Sequence, residues 1–256
     1  MEVAGRVAIV TGGASGIGAA LARRFAADGA AAVVIADVDA AAAEVVAAEI
    51  GGTAVMADVS VEADVQALVE RVLKDHGRVD IYCSNAGIGL GGGQDAPDDS
   101  WQRSWDVNVM AHVYAARALV PGWLARSDGY FMGTISAAAL LNHVLAAPYA
   151  ATKAAALSFF EWLAITYGPH GLRVAALCPQ GVRTPMLLRS QEVSDFLLAG
   201  ALEPEQVADI VVTAMRDGRF LILPHPEVGE YFARKGADYD RWIAGMQRLS
   251  QRVSGS

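Results

Sequence analysis

Short β-branched apolar runs alternate along the chain with longer, alanine-rich stretches whose apolar positions recur at helical spacing. Val7 to Thr11, Ala32 to Asp37, Thr53 to Asp58 and Asp80 to Asn85 read as strands, and Ile17 to Asp28, Ala40 to Ile50 and Val61 to His76 as the helices between them. The alternation continues through a long helical stretch from Pro97 to Arg126, a strand from Gly129 to Ser136 and a helix from about Tyr149 to Tyr167. A strand from Leu172 to Pro179, a helix from about Pro204 to Arg216 and a strand from Phe220 to Leu223 follow. Successive rather than alternate positions of the strands are apolar, which fits a parallel sheet buried on both faces under helices. With right-handed crossovers this predicts a single-domain, Rossmann-like, doubly wound α/β fold of about seven strands.

No Pro/Gly/Ser-rich linker divides residues 1–256, so one domain is expected, with 186–202 as a substrate-side lid and 224–256 as an appended helical tail. The tail's Tyr231, Phe232, Tyr239, Trp242, Ile243 and Met246 call for burial, over a substrate mouth or against another subunit. Composition narrows the field of function. A net charge of -8 and the lack of a basic tract argue against nucleic acid, and no uninterrupted apolar run is long enough to span a bilayer. No secretory signal is visible at Met1–Arg6, so a cytoplasmic location is expected. Cys83 and Cys178 sit in apolar runs and read as buried thiols; the five histidines are scattered, and no metal site is expected.

The first strand runs into Thr11-Gly12-Gly13-Ala14-Ser15-Gly16-Ile17-Gly18, which opens the first helix. A helix start of this kind offers free backbone N–H groups to a pyrophosphate, and glycines let the backbone approach it. The spacing Gly-x-x-x-Gly-x-Gly differs from the commoner dinucleotide fingerprint, so its context carries the reading. Asp37 ends the second strand, where a carboxylate accepts hydrogen bonds from the adenosine ribose hydroxyls. It repels a 2′-phosphate, and its neighbours Ala36, Val38 and Asp39 supply no cation, so NAD is expected over NADP. Gly12, Ser15, Gly16, Ile17, Gly18, Asp37 and Val38 are therefore cofactor candidates.

Tyr149 and Lys153 stand four residues apart, on one face of the predicted helix. A phenol has a pKa of about 10, and a cation within roughly 4–6 Å favours its charged form. The pair is expected to transfer protons, with Lys153 lowering the Tyr149 pKa. Alone, such a pair is ordinary on an exposed helix. Its weight comes from the segments that accompany it.

Over residues 5–225 those segments resemble the short-chain dehydrogenase/reductase family. The glycine loop, Asp58-Val59, Asn85-Ala86-Gly87, Asn108, Ser136, Tyr149 and Lys153 match its motifs in order and spacing. The resemblance implies that Asp58 and Val59 bracket the adenine and that Asn85, Ala86 and Gly87 steady the central strand beside the cofactor. It makes Asn108, Ser136, Tyr149 and Lys153 the catalytic set, with Asn108 bonding a water that links the lysine to solvent. Val182 and Thr184 would hold the nicotinamide amide. Two positions depart from the family pattern. Ser84 stands where an asparagine is common, and Gln180 replaces a glycine after the sixth strand, where its amide either meets the substrate or is tolerated in the loop.

These features imply hydride transfer between NAD(H) and a secondary alcohol or ketone. The segments Ala137–Ala147 and Met186–Leu198 are largely apolar, so an apolar small-molecule substrate, lipid-like, terpenoid or alicyclic, is expected rather than a sugar or a charged acid, with Ser136, His143, Gln180 and Met186 as lining candidates. His143 serves either the substrate or its own loop, and Arg183 and Arg189 keep anionic carrier substrates open. Two further readings are a catalytically silent NAD(H)-binding sensor and an interaction protein on the same fold. The helix after Tyr149 is apolar on more than one face, through Phe159, Phe160 and Trp162 among others, which suggests a homo-oligomer, a tetramer or dimer.

Overall fold

The computed structural model describes residues 1–189 and 198–253. Seven strands form one parallel sheet: β1 (Val7–Thr11), β2 (Ala32–Asp37), β3 (Thr53–Met56), β4 (Ile81–Ser84), β5 (Gly129–Thr134), β6 (Leu172–Leu177) and β7 (Leu221–Ile222), in the order β3-β2-β1-β4-β5-β6-β7. Side chains alternate across it as a strand requires. Ile9, Val34, Tyr82 and Phe131 enter one core, while Ala8, Val10, Val33, Ile35, Ile81 and Met132 enter the other. Both faces are buried, as successive apolar positions predicted.

One face is covered by α3 (Glu62–His76), α5 (Ala111–Arg126) and α7 (Ala147–Tyr167), and the other by α1 (Gly16–Ala27), α2 (Ala40–Ile50) and α9 (Pro204–Asp217). The short helices α6 (Ala137–Leu141) and α8 (Pro185–Arg189) and the terminal pair α10 (Pro226–Ala237) and α11 (Tyr239–Val253) lie at the carboxyl edge of the sheet or beyond it. The predicted helix from Pro97 to Arg126 is interrupted. It consists of α4 (Asp98–Trp105), a π-helical turn Asp106–Met110 and α5. A π turn inserts one residue into the helical ladder and re-aims what it carries, here Asn108. No helix among the described residues is long and apolar enough to cross a membrane.

Strand order reverses between β1 and β4, so the carboxyl ends of these two neighbours part and leave a crevice, the place where open α/β sheets bind ligands. Below it, Asp80 anchors the amino end of β4. Its buried carboxylate accepts from Val7 N at 3.0 Å and meets Arg78 at 2.6 Å, Arg126 at 3.3 Å and Arg6 at 3.7 Å.

Candidate active site

One cleft of about 1930 Å³ opens at this edge of the sheet and takes in the glycine loop, the start of α7 and the terminal helices. Its floor is built by hydrogen bonds between strand ends. The Thr11 hydroxyl accepts from Asn85 N at 3.0 Å and Ala86 N at 3.2 Å and donates to the Cys83 carbonyl at 3.3 Å. Asn85 donates through Nδ2 to the carbonyls of Thr11 and Gly12, at 3.0 and 3.2 Å, and accepts from the Thr134 hydroxyl at 2.9 Å. It thus laces β1, β4 and β5 together.

The glycine loop fits a dinucleotide. Gly12 turns the chain at φ 61, and a Cβ there would stand 2.8 Å from Ala86 Cα; a Cβ on Gly18 would stand 2.1 Å from the Gly12 carbonyl oxygen. Neither position admits a side chain, so the loop packs directly against the end of β4 and the first turn of α1. Ser15 precedes α1 in extended conformation and makes no side-chain cap bond, leaving first-turn N–H groups for an anion. Asp37 is fixed beside the loop, accepting from Ala14 N and Asp39 N, both at 3.0 Å. Val38, Asp58 and Val59 continue the same wall. The Asp58 carboxylate also closes its own turn, accepting from Ser60 N at 2.9 Å and the Ser60 hydroxyl at 2.7 Å.

At the other end, α7 presents Tyr149 and Lys153 to the cleft from successive turns. Lys153 Nζ donates to the Thr134 carbonyl at 2.9 Å and lies 5.7 Å from the Tyr149 ring centroid. Asn108 is fully buried. Its Oδ1 accepts from Ile88 N at 3.0 Å, and its Nδ2 donates to the Ile88 carbonyl at 3.0 Å and the Thr152 hydroxyl at 3.2 Å. The side chain thus braces the backbone at Ile88 against α7. A methyl built on Gly87 would stand 3.2 Å from Asn108 Oδ1 and 3.3 Å from Lys153 Nζ, so the three converge on one point. Ser136 caps α6, accepting from Ala138 N at 3.1 Å, and its hydroxyl also bonds Tyr149.

Electrostatics here correct one expectation. Burial raises the Tyr149 pKa above the ordinary phenol value, and the Ser136 hydrogen bond only partly opposes it. Burial also lowers Lys153 to about 8. Desolvation disfavours the charged form of both groups. The amine points at Thr134 rather than at the phenol oxygen, so in the protein alone it does not bring the tyrosine down.

Comparison with known proteins completes the picture. A family model described as short chain dehydrogenase matches residues 6–194. The chain belongs to the short-chain dehydrogenase family. Oxidoreductase UcpA of Escherichia coli (strain K12) is 33% identical over 262 residues, covering 97% of this chain and 94% of that protein. The 1-deoxy-11-beta-hydroxypentalenate dehydrogenase of Streptomyces exfoliatus is 36% identical over 239 residues, 89% of this chain and 86% of its own. A crystal structure of a short chain dehydrogenase/reductase from Burkholderia phymatum in complex with NAD superposes with a TM-score of 0.85 at 29% identity, covering 94% of this chain and 96% of that one. This short-chain dehydrogenase is thus an oxidoreductase by family, with a nicotinamide cofactor.

The remaining candidates fall on the same cleft. Val182, Thr184, Gln180 and Met186 line it beside Gly16 and Gly89, and Gln180 N donates to His225 Nδ1 at 3.2 Å. His143 stands edge-on to Tyr149, ring centroids 6.3 Å apart, and its Nδ1 accepts from Leu145 N at 3.3 Å. Of the expected lid, residues 190–197 lie outside the described residues. Among the described residues no group of His, Cys, Asp and Glu is placed to hold a metal ion. In the tail, Tyr231 and Trp242 pack on the core, whereas Phe232, Tyr239 and Ile243 are exposed on the single chain.

Sequence reasoning missed several working residues of this short-chain dehydrogenase. Thr134 and Thr152 hold Lys153 and Asn108, and Thr11 ties the glycine loop to β4. Their sites next to recognised motifs were the available signal. Ser84 stood out beside the Asn85-Ala86-Gly87 motif, but its buried partner His112, with Nδ1 2.6 Å from Ser84 Oγ, carried no such signal, because it is distant in sequence.

Proposed function

We propose that this short-chain dehydrogenase interconverts secondary alcohols and ketones with NAD(H), using Tyr149 as general acid/base. The observation that carries the reading is the convergence of Tyr149, Lys153 and Ser136 with the glycine loop on one cleft, with Asn108 buried beside Gly87 and Lys153. Bound at the loop, the nicotinamide supplies the hydride chemistry. Gly12, Ser15, Gly16, Ile17 and Gly18 receive the pyrophosphate, Asp37 and Val38 the adenosine ribose, and Asp58 and Val59 the adenine. Asn85, Ala86 and Gly87 hold the floor of the site, and Val182 and Thr184 the carboxamide. The Asp37 carboxylate supports NAD over NADP, as does the NAD in the Burkholderia phymatum structure.

Tyr149 takes the hydroxyl proton during alcohol oxidation and returns it during ketone reduction. Ser136 donates to the substrate oxygen as negative charge grows there. Lys153, held by Thr134, orients the nicotinamide ribose, and its positive charge assists the phenolate once the site is loaded. Asn108 braces the π turn against Ile88 and Thr152, which keeps Lys153 in register.

The lining favours an apolar substrate. Leu141, Val144, Leu145, Met186 and Leu187 all line the cleft, with Asn142, His143 and Gln180 among the polar residues beside them. The similarity to a dehydrogenase named for hydroxypentalenate is in keeping with a bulky hydrocarbon body. Exposed Trp162 and Ile165 on α7, 51% and 77% accessible, support assembly into a homo-oligomer through that helix. Absorbance of reduced nicotinamide, followed while secondary alcohols graded by size and polarity are offered with NAD or NADP, tests the proposal. Turnover of apolar alcohols with NAD supports it; no turnover of any alcohol or ketone with either cofactor would refute it.

A further inference from the structure

We infer that the substrate's apolar body ends in an anionic group, a carboxylate on a small molecule, which arginines of the C-terminal helix read at the mouth of the cleft. This rests on the oxidoreductase reading of the same cleft. Helix α10 is docked on the substrate side, where Lys235 Nζ donates to the Leu140 carbonyl at 2.6 Å, and α11 follows it directly. Along α11, Trp242, Met246, Leu249 and Val253 recur at intervals of four, three and four and form one stripe facing the cleft. Arg241, Arg248 and Arg252 precede three of these by one position, so they run along one flank of the stripe, and they too line the cleft. The helix's acid, Asp240, falls on the opposite side and does not line it.

Elsewhere the protein pairs its guanidinium groups with carboxylates. Those without an ion pair among the described residues are Arg103, Arg189, Arg241, Arg248 and Arg252, and all but Arg189 line this one cleft. In a chain of net charge -8, acidic partners are plentiful. Of the nearby carboxylates, Asp99, Asp106 and Asp238 also line the cleft, yet none pairs with these arginines; Asp106 accepts from Gln102 Nε2 at 2.8 Å, and Asp238 accepts from Arg241 N at 2.9 Å. The helix dipole does not account for the flank either. It favours Arg252 in the last turn but opposes Arg241 in the first. Guanidinium forks left open beside an apolar stripe suit a carboxylate at the end of a hydrocarbon body. The cofactor's own phosphates are already received by the start of α1.

The test compares medium-chain (ω−1)-hydroxyalkanoates with their methyl esters, which share the reacting carbinol and chain and lack the terminal charge. Wild type should prefer the carboxylates. In the triple variant Arg241→Gln, Arg248→Gln, Arg252→Gln, the carboxylate-to-ester ratio of kcat/KM should fall roughly tenfold or more, through KM. Unchanged NAD affinity shows that the fold and cofactor site survive. Should the variant not fold, the wild-type ratio serves instead: raised ionic strength should lower it, and octanoate should compete with the ester. An unchanged ratio in the variant, a salt-independent ratio in wild type, or turnover of esters and neutral alcohols but not carboxylates would overturn the inference while leaving the oxidoreductase reading intact. Turnover only of substrates linked to an acidic carrier protein would overturn it as well. Failure of every alcohol and ketone, neutral or charged, would instead remove the reading beneath it.

Discussion

His112 makes the protein acid-sensitive, and removing it should flatten that sensitivity. The imidazole is fully buried in α5, edge-on to Phe160 with ring centroids 5.1 Å apart, and its Nε2 has no hydrogen-bond partner among the described residues. Burial, reinforced by the nearby Lys153 cation, lowers its pKa from 6.5 to about 3. The folded state thus binds fewer protons than the unfolded state between these values. This contribution is present above about pH 6.5 and is lost as pH falls toward 3. Integrating the proton difference, a fall from about pH 8 to about pH 5 removes roughly 2 kcal/mol of stability through this one group. The assay is urea unfolding at both pH values for wild type and His112→Gln, which keeps a polar partner for Ser84 and does not titrate. Contributions common to both proteins cancel in the double difference. Wild type should lose about 2 kcal/mol more than the variant between the two pH values. Equal losses, or an NMR titration placing His112 near its ordinary value, would refute the reasoning.

Asp80→Ala should cost about 2–3 kcal/mol in the same unfolding assay, because it leaves the buried Val7 N–H unpaired and removes the carboxylate partner of Arg78, while Arg6 keeps Asp128 and Arg126 keeps the Val79 and Asp128 carbonyls; a loss below about 1 kcal/mol would show that the network relaxes. Asp37 should make NAD bind roughly tenfold or more tighter than NADP, and Asp37→Ala should erase most of that preference by weakening NAD and relieving repulsion of the 2′-phosphate. Titration of both cofactors against both proteins checks this. Equal affinities in wild type would contradict it.

The sheet was legible because its signal is local. Runs such as Val7–Thr11 and Ala32–Asp37 are apolar throughout and end on turn residues, and both strands fall at the expected positions. The π turn was not legible, since Asp106–Met110 has an ordinary helical pattern and only its packing against Ile88 and Thr152 shows the insertion. Motif spacing brought Tyr149, Lys153 and Ser136 to one cleft, with Asn108 buried beside Lys153. Spacing says nothing about solvation, however, so the raised Tyr149 pKa was invisible: it depends on what buries the phenol. The tail shows the same limit. Its aromatic content called for burial, but which residues bury and which stay exposed follows from how α10 docks on α6, a contact between distant segments.

The role of Tyr149 is tested most directly by Tyr149→Phe, which removes the phenolic oxygen and keeps the ring. With NAD affinity unchanged, kcat for any accepted alcohol should fall at least about a hundredfold, the scale of a lost general acid/base. Retention of most of kcat would show that the proton is carried by another group.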